Sequence, residues 1–305
     1  MNPFALAAVD GSEESYAAVA FAAEESLRRG LRLHIAHVMP AELPIGRGLV
    51  SASDPSVGAF AAETLASARR VAEDLAPGVL VSTQALAGGR VSQILKAAEH
   101  AELVALGRRR ATALDRAWSG GTLDAVASRA PCPVVVVPAL GRRPGAPRRV
   151  VLGFKHSRHA AELFEAGFRI AAELDAEVSV LHAWKLSLGY DDIVASKVSE
   201  ASSNRDHKDV IWELLTPWID SYPGVPVRIQ VVHEYPVRAL VEASRDADRL
   251  VLVRTPHGAS PHHLGRTARG ALRFAQCPVE VVPARRGDDL VLPPVSVEES
   301  GHLVP

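Results

Sequence analysis

Cysteine is nearly absent from the 305-residue chain. Cys132 and Cys277 show no metal-ligand spacing, and two are too few for a disulfide framework in a chain of this size. An excess of either charge is also missing: 34 Lys plus Arg stand against 35 Asp plus Glu, a formal net charge of −1. That argues against a general nucleic-acid binder, which needs a basic surface to release counterions. It leaves room for a local basic pocket around one anionic ligand. No apolar run approaches the roughly 18–20 residues that a spanning helix needs. No basic segment precedes the apolar residues of MNPFALAAVDGS, so neither a membrane segment nor a secretory leader is expected. Reaction motifs are missing too. The chain has no Walker loop, no dinucleotide glycine fingerprint and no nucleophile elbow, and no carboxylate pair is placed as acid and base. The expectation is a cytoplasmic protein that is not an enzyme.

What is present is ordinary globular material, 48% apolar and 23% charged, at a length that suggests about two domains. An internal repeat supplies them. Ala130-Pro131-Cys132-Pro133-Val134 returns as Ala275-Gln276-Cys277-Pro278-Val279, an offset of 277 − 132 = 145. The same offset carries Val9-Asp10-Gly11-Ser12 onto Phe154-Lys155-His156-Ser157, and Leu95 onto Leu240. The organisation read from this is one domain over residues 1–140, a linker over 141–149, a second domain over 150–285 and a tail over 286–305. The linker's Pro and Gly interrupt helix and strand, and the tail has several prolines and no periodicity.

Each copy alternates short apolar runs with segments of helical spacing. In copy one the runs are Phe4–Val9, Leu31–Met39, Val79–Ala87, Leu103–Leu106 and Val134–Val137. The helical segments are Ala17–Leu27, Ala59–Leu75, Val91–His100 and Thr122–Arg129, and 40–57 reads as a loop. Copy two repeats the order, from Val150–Gly153 to Val279–Val282, with its second helix over Asn204–Ser221. Strands separated by helices imply right-handed crossovers. The fold class is therefore α/β: two tandem, open, five-stranded parallel sheets with helices on both faces. Val134–Val137 is an apolar edge strand with no charge or interior proline to protect it. It is expected to pair with Val279–Val282 across a pseudo-twofold axis.

In such sheets ligands settle outside the carboxyl ends of the strands, where strand order reverses. Two loops there carry suggestive residues. Asp10-Gly11-Ser12 follows the first strand; Gly107-Arg108-Arg109-Arg110 follows the fourth and leads to Gly120-Gly121-Thr122 at a helix start. Glycines let backbone approach a ligand, bare amides at a helix start favour phosphate, and the arginines add positive charge. Asp-Gly-Ser is equally an ordinary turn into a helix cap, and Gly120-Gly121 an ordinary loop-to-helix junction. His257, His262 and His263 share the corresponding loop of copy two without a nearby carboxylate or cysteine, a poor metal site.

Taken together, Val9-Asp10-Gly11-Ser12, His37-Val38, the Gly107 loop and Ala130-Pro131-Cys132-Pro133-Val134 resemble the universal stress protein family, and both copies share in the resemblance. The resemblance implies a Rossmann-like parallel fold and, as in many members, ATP held by a loop of pattern Gly-x-x-Gly, nine residues, then Gly-Ser or Gly-Thr. Carried over, it implies Asp10 and Val38 at adenine, Leu106 lining the pocket, and Gly107, Gly120, Gly121 and Thr122 around ribose and phosphates, with magnesium as an accompanying ion. Arg110 stands where the family has its second glycine, and Gly121 where it has Ser or Thr. In copy two Lys155 replaces the aspartate, Val253 or Arg254 replaces the first glycine, and Arg266 follows Gly265, so that copy is expected to be empty. The implied function is a stress-response or regulatory module binding ATP without efficient turnover. Its alternatives are an interaction protein with no nucleotide and a slow ATP hydrolase. The implied partner is adenine nucleotide; beyond the intramolecular pairing, association of two chains in a homodimer is left open by the sequence.

Overall fold

The computed structural model describes residues 2–39, 42–45, 48–51, 54–108, 120–139, 148–184, 195–254 and 264–284. Half one comprises β1 (Phe4–Val9), α1 (Glu13–Arg29), β2 (Arg32–Met39), β3 (Glu42–Ile45), β4 (Gly48–Ser51), α2 (Pro55–Leu75), β5 (Val81–Ala87), α3 (Arg90–Ala97), β6 (Leu103–Arg108), α4 (Gly120–Arg129) and β7 (Val134–Pro138). Half two comprises β8 (Arg149–Phe154), a 3-10 turn at Ser157–His159, α5 (Ala160–Leu174), β9 (Glu177–Trp184), α6 (Ala195–Ser221), β10 (Val227–His233), α7 (Pro236–Ala243), a 3-10 turn at Ser244–Asp246, β11 (Arg249–Arg254), α8 (Arg266–Phe274) and β12 (Val279–Pro283). Most of the expected linker (140–147) and the whole expected tail lie outside the described residues, while Arg149, counted with the linker, already belongs to β8.

Several elements differ from expectation; α2, for one, starts at Pro55, four residues before Ala59 and inside the expected loop 40–57, with the Asp54 side chain as its cap. α1 starts four residues before Ala17, because Ser12 caps it: its hydroxyl accepts from the Ser15 amide, and Glu13 and Glu14 occupy the positive first turn. Hydrophobic spacing cannot see a polar first turn. α6 likewise starts at Ala195, ahead of its apolar part. Inside the expected loop 40–57, β3 and β4 form an antiparallel hairpin.

The strands form one sheet in the order β10-β9-β8-β11-β12-β7-β6-β1-β2-β5. Within each half all neighbours are parallel, in the doubly wound order 3-2-1-4-5. At the centre the expected pairing occurs. β7 and β12 run antiparallel, with Val134 opposite Val281, Val135 opposite Glu280 and Val136 opposite Val279. Neither apolar edge is left bare.

The two faces are built differently. Under α3, α4, α7 and α8 a single core crosses the seam, joining Leu106, Val134 and Val136 to Leu252, Val279 and Val281. The opposite face holds two cores, one under α1 and α2 and one under α5 and α6. Between these two cores sits a buried ion cluster. Arg249 donates to Glu25 of half one at 2.9 Å and to Glu280 at 2.9 Å, and all three are 1–2% exposed. Its guanidinium also lies 4.6 Å over the Phe21 ring. Burial by itself would raise the Glu25 carboxyl, but Arg249 and Arg28 override it and hold the pKa at about 2. Burial would likewise discharge Arg249; the two carboxylates instead raise its pKa above the ordinary value. Arg28 reaches Glu25 at 2.6 Å, and Arg169 comes within 3.8 Å of Glu280.

Candidate functional site

In half one, β6 and β1 lie side by side where strand order reverses, with Ala8 opposite Leu106 and Val9 opposite His37 on the other flank. Asp10 follows at the strand end, exposed. Its carboxylate is oriented by an Asx turn: the Ser12 amide donates to Oδ1 at 3.0 Å, and the Ser12 hydroxyl donates to the same oxygen. The Ser15 hydroxyl accepts from the Asp10 amide at 3.4 Å. Gly11, at φ +85°, makes the turn between them. The ordinary turn-and-cap reading of Asp-Gly-Ser is therefore what the backbone does, and it fixes the Asp10 carboxylate as well.

Val38 and Leu106, 7% and 4% exposed, belong to the core under α3 and α4, on the face from which α4 approaches. Gly107 has a packing reason of its own. A Cβ there would overlap the Glu14 carbonyl and come within 2.6 Å of the Ser15 amide nitrogen, so β6 ends against the backbone of α1's first turn. Gly120 opens α4, Gly121 is exposed and Thr122 half-buried in its first turn. Among the described residues, a side chain at Gly121 would meet nothing within 4 Å, and the first amides of α4 have no partner within the helix. Beside it lies a cavity of about 380 Å³, lined by Gly121, Asp124, Ser128 and Arg129 and, from half two, by Leu264 and Arg269. Arg110, together with residues 109–119, lies outside the described residues.

Arg108 behaves differently from the expectation that it adds charge toward an anion. Its guanidinium crosses the seam and donates to the carbonyls of Leu272 (3.1 Å) and Ala275 (2.6 Å) at the C-terminal end of α8. Arg254 does the reciprocal. It donates to Ala127 (3.2 Å) and Ala130 (2.9 Å) at the end of α4. Cations at helix C-termini satisfy orphan carbonyls and oppose the dipole. No local sequence signal could have found these bonds, because the partners stand 124–167 residues away.

The sequence pattern of the universal stress protein family matches residues 4–138 and again 147–283. The chain belongs to the universal stress protein family. Among curated relatives, "Universal stress protein Rv1996" of Mycobacterium tuberculosis is 26% identical over 307 residues, covering 93% of this chain and 96% of its own length. "Universal stress protein Rv2005c" of the same species is 25% identical, covering 90% and 94%. Among solved structures, a universal stress protein from Archaeoglobus fulgidus is 18% identical over 93% of this chain and 97% of its own, with a TM-score of 0.67. These are full-length likenesses, so the tandem arrangement recurs in the relatives.

Half two departs from half one at the equivalent place. β6 and β11 have the same length and the same register against β7 and β12 (Val104 with Val134, Leu250 with Val279), which makes Val253 the counterpart of Gly107. Lys155 is exposed where half one has Asp10, and Arg266 is exposed at the start of α8. α5 begins late as well: 160 − 13 = 147 against the repeat offset of 145, with the 3-10 turn Ser157–His159 before it. The loop holding His257, His262 and His263 lies outside the described residues; among the described residues no cluster of three metal-ligating side chains occurs. No described helix is long and apolar enough to cross a membrane.

One imidazole pair does obey the repeat. His37 Nδ1 lies 2.9 Å from the Val9 carbonyl and His182 Nδ1 lies 3.1 Å from that of Phe154. In half two an aromatic cluster surrounds it: His182 lies 4.7 Å from His207, which faces Trp184, and Trp184 stacks on His233 at 4.6 Å. His182 Nε2 is buried with no hydrogen-bond partner among the described residues. Burial lowers its pKa below 6.5 against the pull of the Phe154 carbonyl, and the neighbouring His207 adds a smaller push in the same direction as burial. A base depressed on folding favours the folded state above its unfolded pKa and loses that advantage as pH falls through 6.5 toward the folded value. The loss of melting temperature between pH 7.5 and 5.5 is therefore expected to be smaller in His182→Asn, which keeps a donor for Phe154, than in the wild type.

Proposed function

We propose that half one binds an adenine nucleotide, ATP, as the ligand of a stress-response or regulatory module, without efficient turnover. The observation that carries this reading is the exposed Gly121 in the first turn of α4. Gly121 and Thr122 supply helix-start amides on α4, the helix that follows β6, and β6 with β1 marks the reversal of strand order. An oriented carboxylate at Asp10 suits a donor such as an exocyclic amine or a ribose hydroxyl. Val38 and Leu106 give the base an apolar floor. The same pattern is broken in half two by Lys155 and Val253, which leaves one competent pocket per chain.

The test is extraction. Protein purified without added nucleotide and then denatured is expected to release adenine nucleotide, identified by chromatography and mass, whereas Asp10→Ala is expected to release less. Absence of nucleotide from the wild type, together with no thermal shift in millimolar ATP and magnesium, would remove the reading; occupancy at 100 times Kd stabilises by about 2.7 kcal/mol. A second reading, an interaction protein with no nucleotide, is favoured by one observation: Arg108, the described arginine of the loop, is committed to α8 rather than turned to an anion.

A further inference from the structure

We propose that half two, lacking the nucleotide motif, acts as the positioning partner of the half-one site, with Arg254 the residue that holds α4 in place. The inference rests on the nucleotide reading above and extends it to a role for the second half. The loop that separates β6 from α4 is bounded by two elements, and half two grips both. At its start Arg108 is anchored to the Leu272 and Ala275 carbonyls of α8. At its end α4 is held by Arg254 through the Ala127 and Ala130 carbonyls, while the other end of that helix carries Gly121 and Thr122. A ten-residue helix is a rigid rod about 15 Å long, so fixing its C-terminal turn fixes where its N-terminal amides point.

The arrangement is specific. One guanidinium nitrogen of Arg254 spans two carbonyls whose intrahelical partners have run out, and the side chain is only half-exposed. The seam carries this contact on the face where one continuous core joins the halves, whereas the Glu25–Arg249–Glu280 cluster lies on the opposite face. The two can therefore be perturbed separately. Half two also lies against α4 itself, since Arg269 and Leu264 line the same cavity as Gly121, Asp124 and Ser128. Arg254 is a positioning residue: it acts through α4 and touches no ligand.

Four full-length proteins decide the matter: wild type, Arg254→Gln, Arg254→Lys and Glu25→Gln. ATP affinity is read by calorimetry and amide exchange over residues 123–130 by mass spectrometry without nucleotide. Arg254→Gln is expected to weaken ATP about five- to tenfold and to speed exchange in α4. Arg254→Lys, which keeps a donor, should recover part of both. Glu25→Gln should lower the melting temperature yet leave ATP affinity and α4 exchange unchanged. Unaltered ATP affinity in Arg254→Gln, or unaltered α4 exchange, would overturn the proposal, as would equal losses in Glu25→Gln. If the wild type itself binds no ATP, the nucleotide reading falls, and α4 exchange alone then decides whether half two positions this helix.

Discussion

Arg249→Leu is expected to cost the fold about 3–5 kcal/mol, because it leaves two carboxylates in a buried place with their central cation gone. Glu25 and Glu280 are each 1% exposed, so neither reaches water without opening the seam. Arg28 would still neutralise part of Glu25, which puts the loss at the lower end of that range. The pseudo-symmetry supplies the complementary variant. The mates of the three residues are Ile170 (170 − 25 = 145), Leu103 (249 − 103 = 146) and Val135 (280 − 135 = 145), all apolar and buried. Glu25→Ile, Arg249→Leu and Glu280→Val together are therefore expected to recover the stability lost by Arg249→Leu alone, and to exceed the wild type by up to about 4 kcal/mol. Chemical denaturation of the single and triple variants measures both. A triple variant as unstable as the single one would show that the cluster contributes through geometry rather than charge. The wild type should also lose stability as pH falls from about 4.5 toward 2, the interval over which Glu25 protonates more readily in the unfolded chain.

Gly107→Ala is expected to destabilise by about 3 kcal/mol, whereas Gly121→Ala is expected to be neutral or to stabilise by up to about 1 kcal/mol. The contrast separates two glycines that look alike in sequence. At Gly107 the added methyl would meet main chain, the Glu14 carbonyl and the Ser15 amide, and main chain cannot rotate aside as a side chain does. At Gly121 the methyl enters open space at a helical position. In half two, where Val253 takes the equivalent place, α5 starts two residues late in the register. Gly107→Val should accordingly unwind the first turn of α1, remove the Ser12 cap and displace Asp10, so that it loses stability and, on the nucleotide reading proposed above, releases no nucleotide. Melting curves and extraction on the same preparations check this. A Gly107→Ala protein as stable as the wild type would mean that α1 yields more easily than its cap suggests.

Much of the fold was legible because it is written in local runs. β1, β6 and β7 are apolar stretches bounded by turn residues, and the repeated Cys-Pro-Val segment announces the partner strands of the seam. The hairpin of β3 and β4 was not legible, since two four-residue runs, one containing Pro44, carry too little pattern to stand out from a loop. The candidate site was legible in its glycines, in Asp10 and in the start of α4. It was not legible in its arginines. Adjacent arginines in a glycine loop suggest an anion, yet Arg108 bonds to carbonyls of the other half. Glu25, Arg249 and Glu280 are equally silent in one dimension, because their meaning arises only when α1, β11 and β12 meet.

The antiparallel joint between two parallel halves has a last consequence. Separate single-repeat chains must find each other from solution, and dilution can part them. Here ten residues join Pro138 to Arg149 (149 − 138 − 1 = 10), so each half meets its mate at an effective concentration on the order of millimolar. A mate that cannot be lost need not be identical. Tethering frees one repeat to drift, to put Lys155 for Asp10, Val253 for Gly107 and an ion triad on one side of the joint, while the assembly keeps its shape.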